Sequence, residues 1–194
     1  MGVKTYKGPD GGSQKLSRTA RAKRNADNLA MAKNKKIDEL NVCLLDRPRH
    51  KKIIDELKFL KVNIKLISDG DIIGALTVAN EKSNVDLFLG IGGGPEGVIA
   101  AAALSCHECQ MQSRLIFQNK NEILRAKKMN IKNLNKKYDI KDLVKGDVIF
   151  CATGITSGSL VVGIKNQKDK FTSETYITHK SSNYIKKLTK ALDK

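Results

Sequence analysis

Between residues 41 and 118 the chain alternates short apolar runs of β-like composition with amphipathic helical stretches, and successive βα units of that kind build a parallel sheet. The runs Val42–Leu45, Val62–Ile67, Val85–Leu89 and Arg114–Phe117 read as strands, and residues 49–60, 72–80, 95–105 and 120–129 as helices. An alanine- and lysine-rich stretch, residues 15–35, reads as a preceding helix. After Lys145-Gly146-Asp147 the runs Val148–Cys151, Leu160–Ile164 and Thr172–Ile177 read as further strands joined by Gly/Ser/Thr turns, and residues 182–192 as a closing helix. Gly8-Pro9-Asp10-Gly11-Gly12 is the clear linker-like segment, so residues 1–14 are set apart from a folded portion spanning 15–194.

Strands of a parallel sheet point the same way, and ligands bind beyond their carboxyl ends. Three consecutive strand ends carry polar motifs: Asp46-Arg47-Pro48-Arg49-His50, then Ser68-Asp69-Gly70-Asp71, then the turn Gly90-Ile91-Gly92-Gly93-Gly94-Pro95-Glu96-Gly97. The expectation is that these loops, 46–50, 68–71 and 90–97, share one pocket. Arg47 and Arg49 lie two apart on one side of an extended segment, with Pro48 limiting the backbone between them; two forked guanidiniums suit a phosphate group, and the alternative is pairing with acids such as Asp46 and Asp55. Asp69 and Asp71 flank Gly70 and can turn toward one ligand, as acceptors for sugar hydroxyls or for a divalent metal, while Asp71 could equally cap the helix it precedes. His50 reads as a structural hydrogen-bonder and not as a general base.

The glycine turn combines bare backbone amides with one carboxylate. Helix N-termini attract anions and glycine permits close approach, so Glu96 beside a phosphate implies a cation between them. The alternative is an ordinary first-turn acid favoured by the helix dipole. Gly92 to Gly97 formally fits G-x-G-x-x-G, but Pro95 and Glu96 stand where a pyrophosphate would lie, which disfavours a dinucleotide site.

The net charge of +16 suggests a polyanion partner until it is divided along the chain. Residues 1–40 carry 10 basic and 4 acidic side chains, residues 119–194 carry 17 and 7, and the motif-bearing residues 41–118 carry 9 of each. With 5% aromatic residues and no RNA-recognition motif, nucleic-acid binding is disfavoured. No apolar run approaches the roughly 20 residues a membrane span needs, and the N-terminus lacks a secretory apolar region, so a cytoplasmic location is expected. Four scattered cysteines fit reduced thiols better than a disulfide framework; Cys106-His107-Glu108-Cys109 has metal-site spacing but no second pair to complete a zinc set.

Taken in order, Leu45 to His50, Leu66 to Asp71, Gly90 to Ala102, Met111-Gln112-Ser113-Arg114-Leu115 and Ala152-Thr153-Gly154-Ile155-Thr156 resemble the class II fructose-1,6-bisphosphatases of the GlpX type, including members that also cleave sedoheptulose 1,7-bisphosphate. The resemblance runs from about residue 17 to nearly the end. It implies an α/β fold, a layered αβα sandwich of the lithium-sensitive sugar phosphatase kind with a mixed sheet, and manganese- or magnesium-assisted attack of water on the C1 phosphate, in gluconeogenesis. Carried over by position, it makes Arg47, Pro48 and Arg49 the phosphate-contacting loop, Asp69, Gly70 and Asp71 the sugar-contacting loop, Gly93 a backbone substrate contact and Glu96 a metal ligand.

Several positions depart from the family pattern. Gly94 stands in place of an alanine, Glu108-Cys109 in place of a glycine pair, Ser113 in place of a glycine, and Thr178-His179-Lys180-Ser181 in place of an arginine-serine pattern. The resemblance also implies that an N-terminal portion, bearing the acid cluster and threonine that bind most of the metal and orient the attacking water, is missing here. The catalytic residues are then expected outside this chain, and the chain alone is expected to have little or no activity. Its partners would be the sugar bisphosphate and either copies of itself or a separately encoded N-terminal half. The alternative is a non-catalytic sugar-phosphate-binding subunit or remnant.

Overall fold

The computed structural model describes the chain from Arg18 to Lys194; the linker-like residues 1–14, Tyr6 among them, lie outside the described residues. The chain divides into two compact units between Gly93 and Gly94.

The first unit is built on one strand. β1 (Asn41–Leu45) pairs in parallel with β2 (Asn63–Ile67) on one side and β3 (Leu87–Leu89) on the other, in the order β2-β1-β3. Buried on both faces, β1 is a continuous apolar run, Val42, Cys43, Leu44 and Leu45, each at most 1% exposed, as a central parallel strand requires. On one face, Val42 and Leu44 pack with Ala26 and Ala30 of α1 (Arg18–Lys33) and Ile53, Ile54 and Leu57 of α2 (Lys51–Phe59). Each leucine so buried contributes about 1.5–3 kcal/mol. On the other face lies α3 (Asp71–Leu76), where Gly74 admits close approach: a Cβ there would sit 2.5 Å from the Phe88 ring and 2.9 Å from Ile67.

Asp86 closes the amino edge of this sheet. Its carboxylate, 5% exposed, accepts from Lys33 Nζ at 2.5 Å, Lys35 Nζ at 3.0 Å and the Asn41 backbone N–H at 2.9 Å, joining the end of α1 to the start of β1. β3 begins at Leu87 and not at the expected Val85, although the Asp86 N–H already donates to Asn41 O at 2.8 Å.

The second unit opens with α4 (Gly94–Ser105), whose Ala100, Ala101, Ala103 and Leu104 are buried. It lies against α6 (Ile140–Leu143) and β6 (Ile149–Thr153). β4 (Gln112–Ser113) and β5 (Tyr138–Asp139) form a short antiparallel pair, and α5 (Lys120–Lys128) begins from Asn119, whose side chain accepts from the Glu122 N–H at 3.0 Å. An antiparallel sheet is centred on β8 (Lys170–His179), flanked by β6 and β7 (Lys165–Asn166) on one side and β9 (Tyr184–Asp193) on the other. Thr178 on β8 is fully buried, and its hydroxyl finds no partner among the described residues.

Three expected elements are corrected. Residues 182–192 are not a helix: Tyr184–Asp193 forms ten residue pairs with β8 across a hairpin whose Asn183 takes a left-handed φ of 51°. The apolar spacing Ile185, Leu188, Leu192 mimics a helix face, but the ladder offered by the adjacent strand wins. Leu160–Ile164 is a folded loop and not a strand; Val162 N–H is satisfied by the Glu174 carboxylate at 2.9 Å and Gly163 N–H by Ser157 Oγ at 3.0 Å, so the backbone donors are already used. Arg114–Phe117 is not a strand either: pairing stops at Ser113, and the Arg114 guanidinium donates to the Asn135 carbonyl.

Four helices stop by one device, a left-handed residue followed by an amide that reaches back to the last turn. The left-handed residues are Asn34, Lys61, Glu108 and Asn130, and the closing bonds are Lys35 N to Ala30 O, Val62 N to Leu57 O, Cys109 N to Leu104 O and Ile131 N to Ala126 O. Glu108, at φ 54°, holds a conformation that glycine adopts without a Cβ clash.

Two outcomes are expected. Glu108→Gly should raise stability by about 0.5–1 kcal/mol, read as a shift in urea midpoint at constant slope. Asp86→Asn should destabilise by about 1–2 kcal/mol, discounted for the partly exposed lysines. Burial pushes the Asp86 carboxyl up, but the bonds from Lys33, Asn41 and Lys35 outweigh it and hold it below the ordinary value. A carboxyl depressed on folding stabilises fully above its unfolded value and loses that contribution as pH falls through the folded one. The difference between wild type and Asp86→Asn in urea melts should therefore shrink on acidification below about pH 4.

Candidate functional site

The carboxyl ends of β1, β2 and β3 leave the sheet together, and their loops are tied to one another by backbone and side chain. Asp46 N–H donates to Ile67 O at 2.8 Å, joining the first loop to the end of β2. Arg47 stays extended, at φ −137° and ψ 143°, as the residue before a proline must; Pro48 then starts a 3₁₀ turn to His50, closed by His50 N–H on Arg47 O at 2.8 Å. The arginines therefore do not share one extended segment as expected, yet both reach the second loop. Arg47 Nη2 lies 3.5 Å from Asp69 Oδ1 and Arg49 Nη2 4.0 Å from Asp71 Oδ2, so their partners are Asp69 and Asp71 and not Asp46 or Asp55.

Gly70 is the N-cap of α3, with φ 92° and ψ 68°, a conformation that requires glycine; Gly74 N–H donates to its carbonyl at 2.7 Å. Asp71 is thereby the first residue of the helix and not its cap. Its carboxylate approaches the third loop: a Cβ on Gly92 would lie 3.5 Å from Oδ2, and one on Gly90 3.8 Å from Oδ1. Arg49 Nε donates to Ile91 O in the same loop. Through Arg49, Asp71 and Gly92 the three loops meet within the first unit, which ends at Gly93.

His50 is fully buried among them. Its Nδ1 lies 2.8 Å from Leu45 O, and its Nε2 accepts from Ile91 N–H at 2.9 Å. The residue reads from sequence as a structural hydrogen-bonder, and that is what it is here; that it joins two loops separated by 41 residues has no sequence signal.

The Arg–Asp face is open on the Asp69 side, that side chain being 90% exposed and the two arginines about 40%, while Asp71 is half-buried at 29%. Exposed ion pairs at such distances are worth about 0–1 kcal/mol. An incoming phosphate can therefore displace the aspartates from the guanidiniums at little cost, leaving the carboxylates free to accept from hydroxyl groups.

Glu96 lies in the first turn of α4, exposed, in the second unit. A Cβ on its neighbour Gly94 would meet nothing within 4 Å, so an alanine fits there equally well. Among the described residues no group of three or more His, Cys, Asp and Glu side chains is placed to hold a metal ion. One exposed carboxylate does not offset the hydration a divalent ion gives up, so these residues by themselves do not form its cage. Cys106 and Cys109 follow the end of α4 as free thiols, the first buried and the second half-buried with its thiol pushed up by burial; His107 Nε2 is 2.9 Å from Tyr176 OH.

A second polar cluster, unforeseen, sits at the β8–β9 hairpin. Asp147 Oδ2 lies 2.6 Å from Ser181 Oγ and 2.7 Å from His179 Nε2, and His179 Nδ1 lies 2.8 Å from Ser182 Oγ. The Ser181 hydroxyl, then His179, hold the Asp147 carboxyl far below the usual range. This cluster fastens the hairpin to the start of β6.

These motifs fall within a match of residues 4–192 to the family described as bacterial fructose-1,6-bisphosphatase, glpX-encoded, and the chain belongs to that family. It is 37% identical over 145 residues to a D-fructose 1,6-bisphosphatase class 2/sedoheptulose 1,7-bisphosphatase of Microcystis aeruginosa, covering 68% of this chain and 42% of the relative. With the protein of the same description from Synechococcus elongatus the identity is 34% over 176 residues, 84% of this chain and 51% of the relative. The chain thus spans about half the length, or less, of these curated relatives. No helix among the described residues is long and apolar enough to cross a membrane.

Glu96→Gln should shift Tm by no more than about 2 °C, since an exposed first-turn acid contributes a few tenths of a kcal/mol. A larger fall in a thermal melt would assign Glu96 a structural role.

Proposed function

We propose that this chain forms the sugar-bisphosphate-binding portion of a class 2 fructose-1,6-bisphosphatase, which hydrolyses the C1 phosphate of fructose 1,6-bisphosphate, with sedoheptulose 1,7-bisphosphate as a second substrate. The observation that carries this reading is the pairing of Arg47 with Asp69 and Arg49 with Asp71 at one edge of the parallel strands. Two arginine forks take the phosphate, Asp69 and Asp71 accept from the sugar hydroxyls, Pro48 and Gly70 shape the two loops, and the exposed Gly93 offers its backbone. The reading places the chain in the αβα-layered fold of the lithium-sensitive sugar phosphatases, in the cytoplasm and in gluconeogenesis.

A divalent ion, manganese or magnesium, belongs to the same reading, with Glu96 as one ligand and the remainder supplied from outside the described residues. Because Glu96 alone makes no cage, the isolated chain is expected to bind without turnover, which is also what a non-catalytic sugar-phosphate-binding subunit would do.

Isothermal titration of the 194-residue chain with fructose 1,6-bisphosphate tests the site. Arg47→Ala should weaken binding at least about tenfold, the loss of one charge-assisted phosphate contact. Absence of binding by the wild-type chain, or unchanged binding by Arg47→Ala, would remove the sugar-bisphosphate reading. Manganese-dependent phosphate release by this chain, abolished in Glu96→Gln, would overturn the expectation of binding without turnover.

A further inference from the structure

We propose that His50 is a positioning residue, which sets the glycine turn and through it aims Arg49 at the bound phosphate. For its ligand the proposal rests on the sugar-bisphosphate reading; its hydrogen bonds stand independently of it.

The Ile91 backbone is held on both its polar groups by two consecutive residues of another loop. Its N–H donates to His50 Nε2 at 2.9 Å, and its carbonyl accepts from Arg49 Nε. An amide can only donate, so Nε2 must be the unprotonated nitrogen, and Nδ1 carries the proton that goes to Leu45 O, 2.8 Å away. With the ring fully buried, tautomer and orientation are both determined. The ring thus spans from the last residue of β1, immediately before the arginine loop, to the turn after β3. Arg49 engaged at Nε is left with its Nη groups projecting toward Asp71, 4.0 Å from Nη2. Among the described residues Arg47 makes no such bond to the turn; its guanidinium pairs with Asp69 on the second loop. The His50 ring therefore reaches Arg49 through Ile91, whereas the link from His50 to Arg47 is the backbone bond from His50 N–H to Arg47 O, which a side-chain substitution leaves in place.

Conservative substitutions separate the two ends of the ring. Gln can place its carbonyl oxygen near the Nε2 position and keep the acceptor for Ile91. Asn can place a donor near the Nδ1 position but leaves the Ile91 amide without a partner. Titration with fructose 1,6-bisphosphate and amide hydrogen exchange at Ile91, both on the full chain, read the difference. His50→Asn should weaken binding about tenfold and speed Ile91 exchange at least about tenfold, while His50→Gln stays within about threefold of wild type in both. Adding Arg49→Ala to His50→Asn should cost little more, whereas adding Arg47→Ala should add nearly in full.

Normal binding and a protected Ile91 amide in His50→Asn would overturn the proposal, as would equal losses in the Asn and Gln variants or full additivity with Arg49→Ala. If the wild-type chain takes up no fructose 1,6-bisphosphate, the functional reading fails. Ile91 exchange and the ¹⁵N shift of Arg49 Nε then decide the role of His50 by themselves: a slow Ile91 amide and an unmoved Nε in His50→Asn would refute it.

Discussion

The first unit depends on the double pairing of β1. A strand with parallel neighbours on both sides must be apolar on both faces, and Val42 to Leu45 meet that condition with nothing to spare for solvent. Parallel pairing then has a geometric consequence that no loop could produce alone. Three carboxyl ends emerge on one edge, and the polar residues following each come within hydrogen-bond or van der Waals reach of the next. The amino edge is closed by Asp86, so the polar loops gather at one end of the sheet and the lysine-held carboxylate at the other.

What could be read in advance follows this division. The strands and helices of residues 41–105 announce themselves because each is local: a short apolar run, a helical period, a glycine or proline stop. The polar loops were equally visible, since each follows an apolar run directly. Their partners were not. Arg47 and Arg49 could have paired with Asp46 or Asp55 nearby in the chain, and the choice of Asp69 and Asp71 is made by strand order. The two-ended role of His50 and the Asp147–His179–Ser181 cluster escaped for the same reason, being contacts between segments with no shared pattern.

Two of the misread elements share a cause in the second unit. β9 has its apolar residues at helical spacing, and only the presence of β8 makes it a strand. Residues 160–164 are apolar enough for a strand, but the Val162 and Gly163 amides are taken by the side chains of Glu174 and Ser157, on either flank, which the apolar pattern does not announce. Antiparallel pairing set by distant residues is less legible than a βα unit, whose strand and helix each carry their own period.

On the sugar-bisphosphate reading, the open Arg–Asp face would be a binding site held by exchangeable ion pairs. Weak, solvated ion pairs hold the side chains near one another, and because they are weak they can be exchanged. A tightly buried network would be more rigid but would resist a ligand that has to break it.

β9 carries a different consequence. All ten of its residues are exposed, and among the described residues its backbone pairs only with β8, so its outer flank presents free amides and carbonyls to any other strand. Lys186 and Lys190 sit along that strand on one face, Lys187 being paired with Glu174 at 3.8 Å, and two such edges meeting would bring like charges together. The guard is electrostatic, with a reach of about 10 Å at 0.1 M salt that contracts as ions are added. How concentrated a solution of this chain can become before its edges find one another is therefore set as much by the ionic strength of the solvent as by the fold.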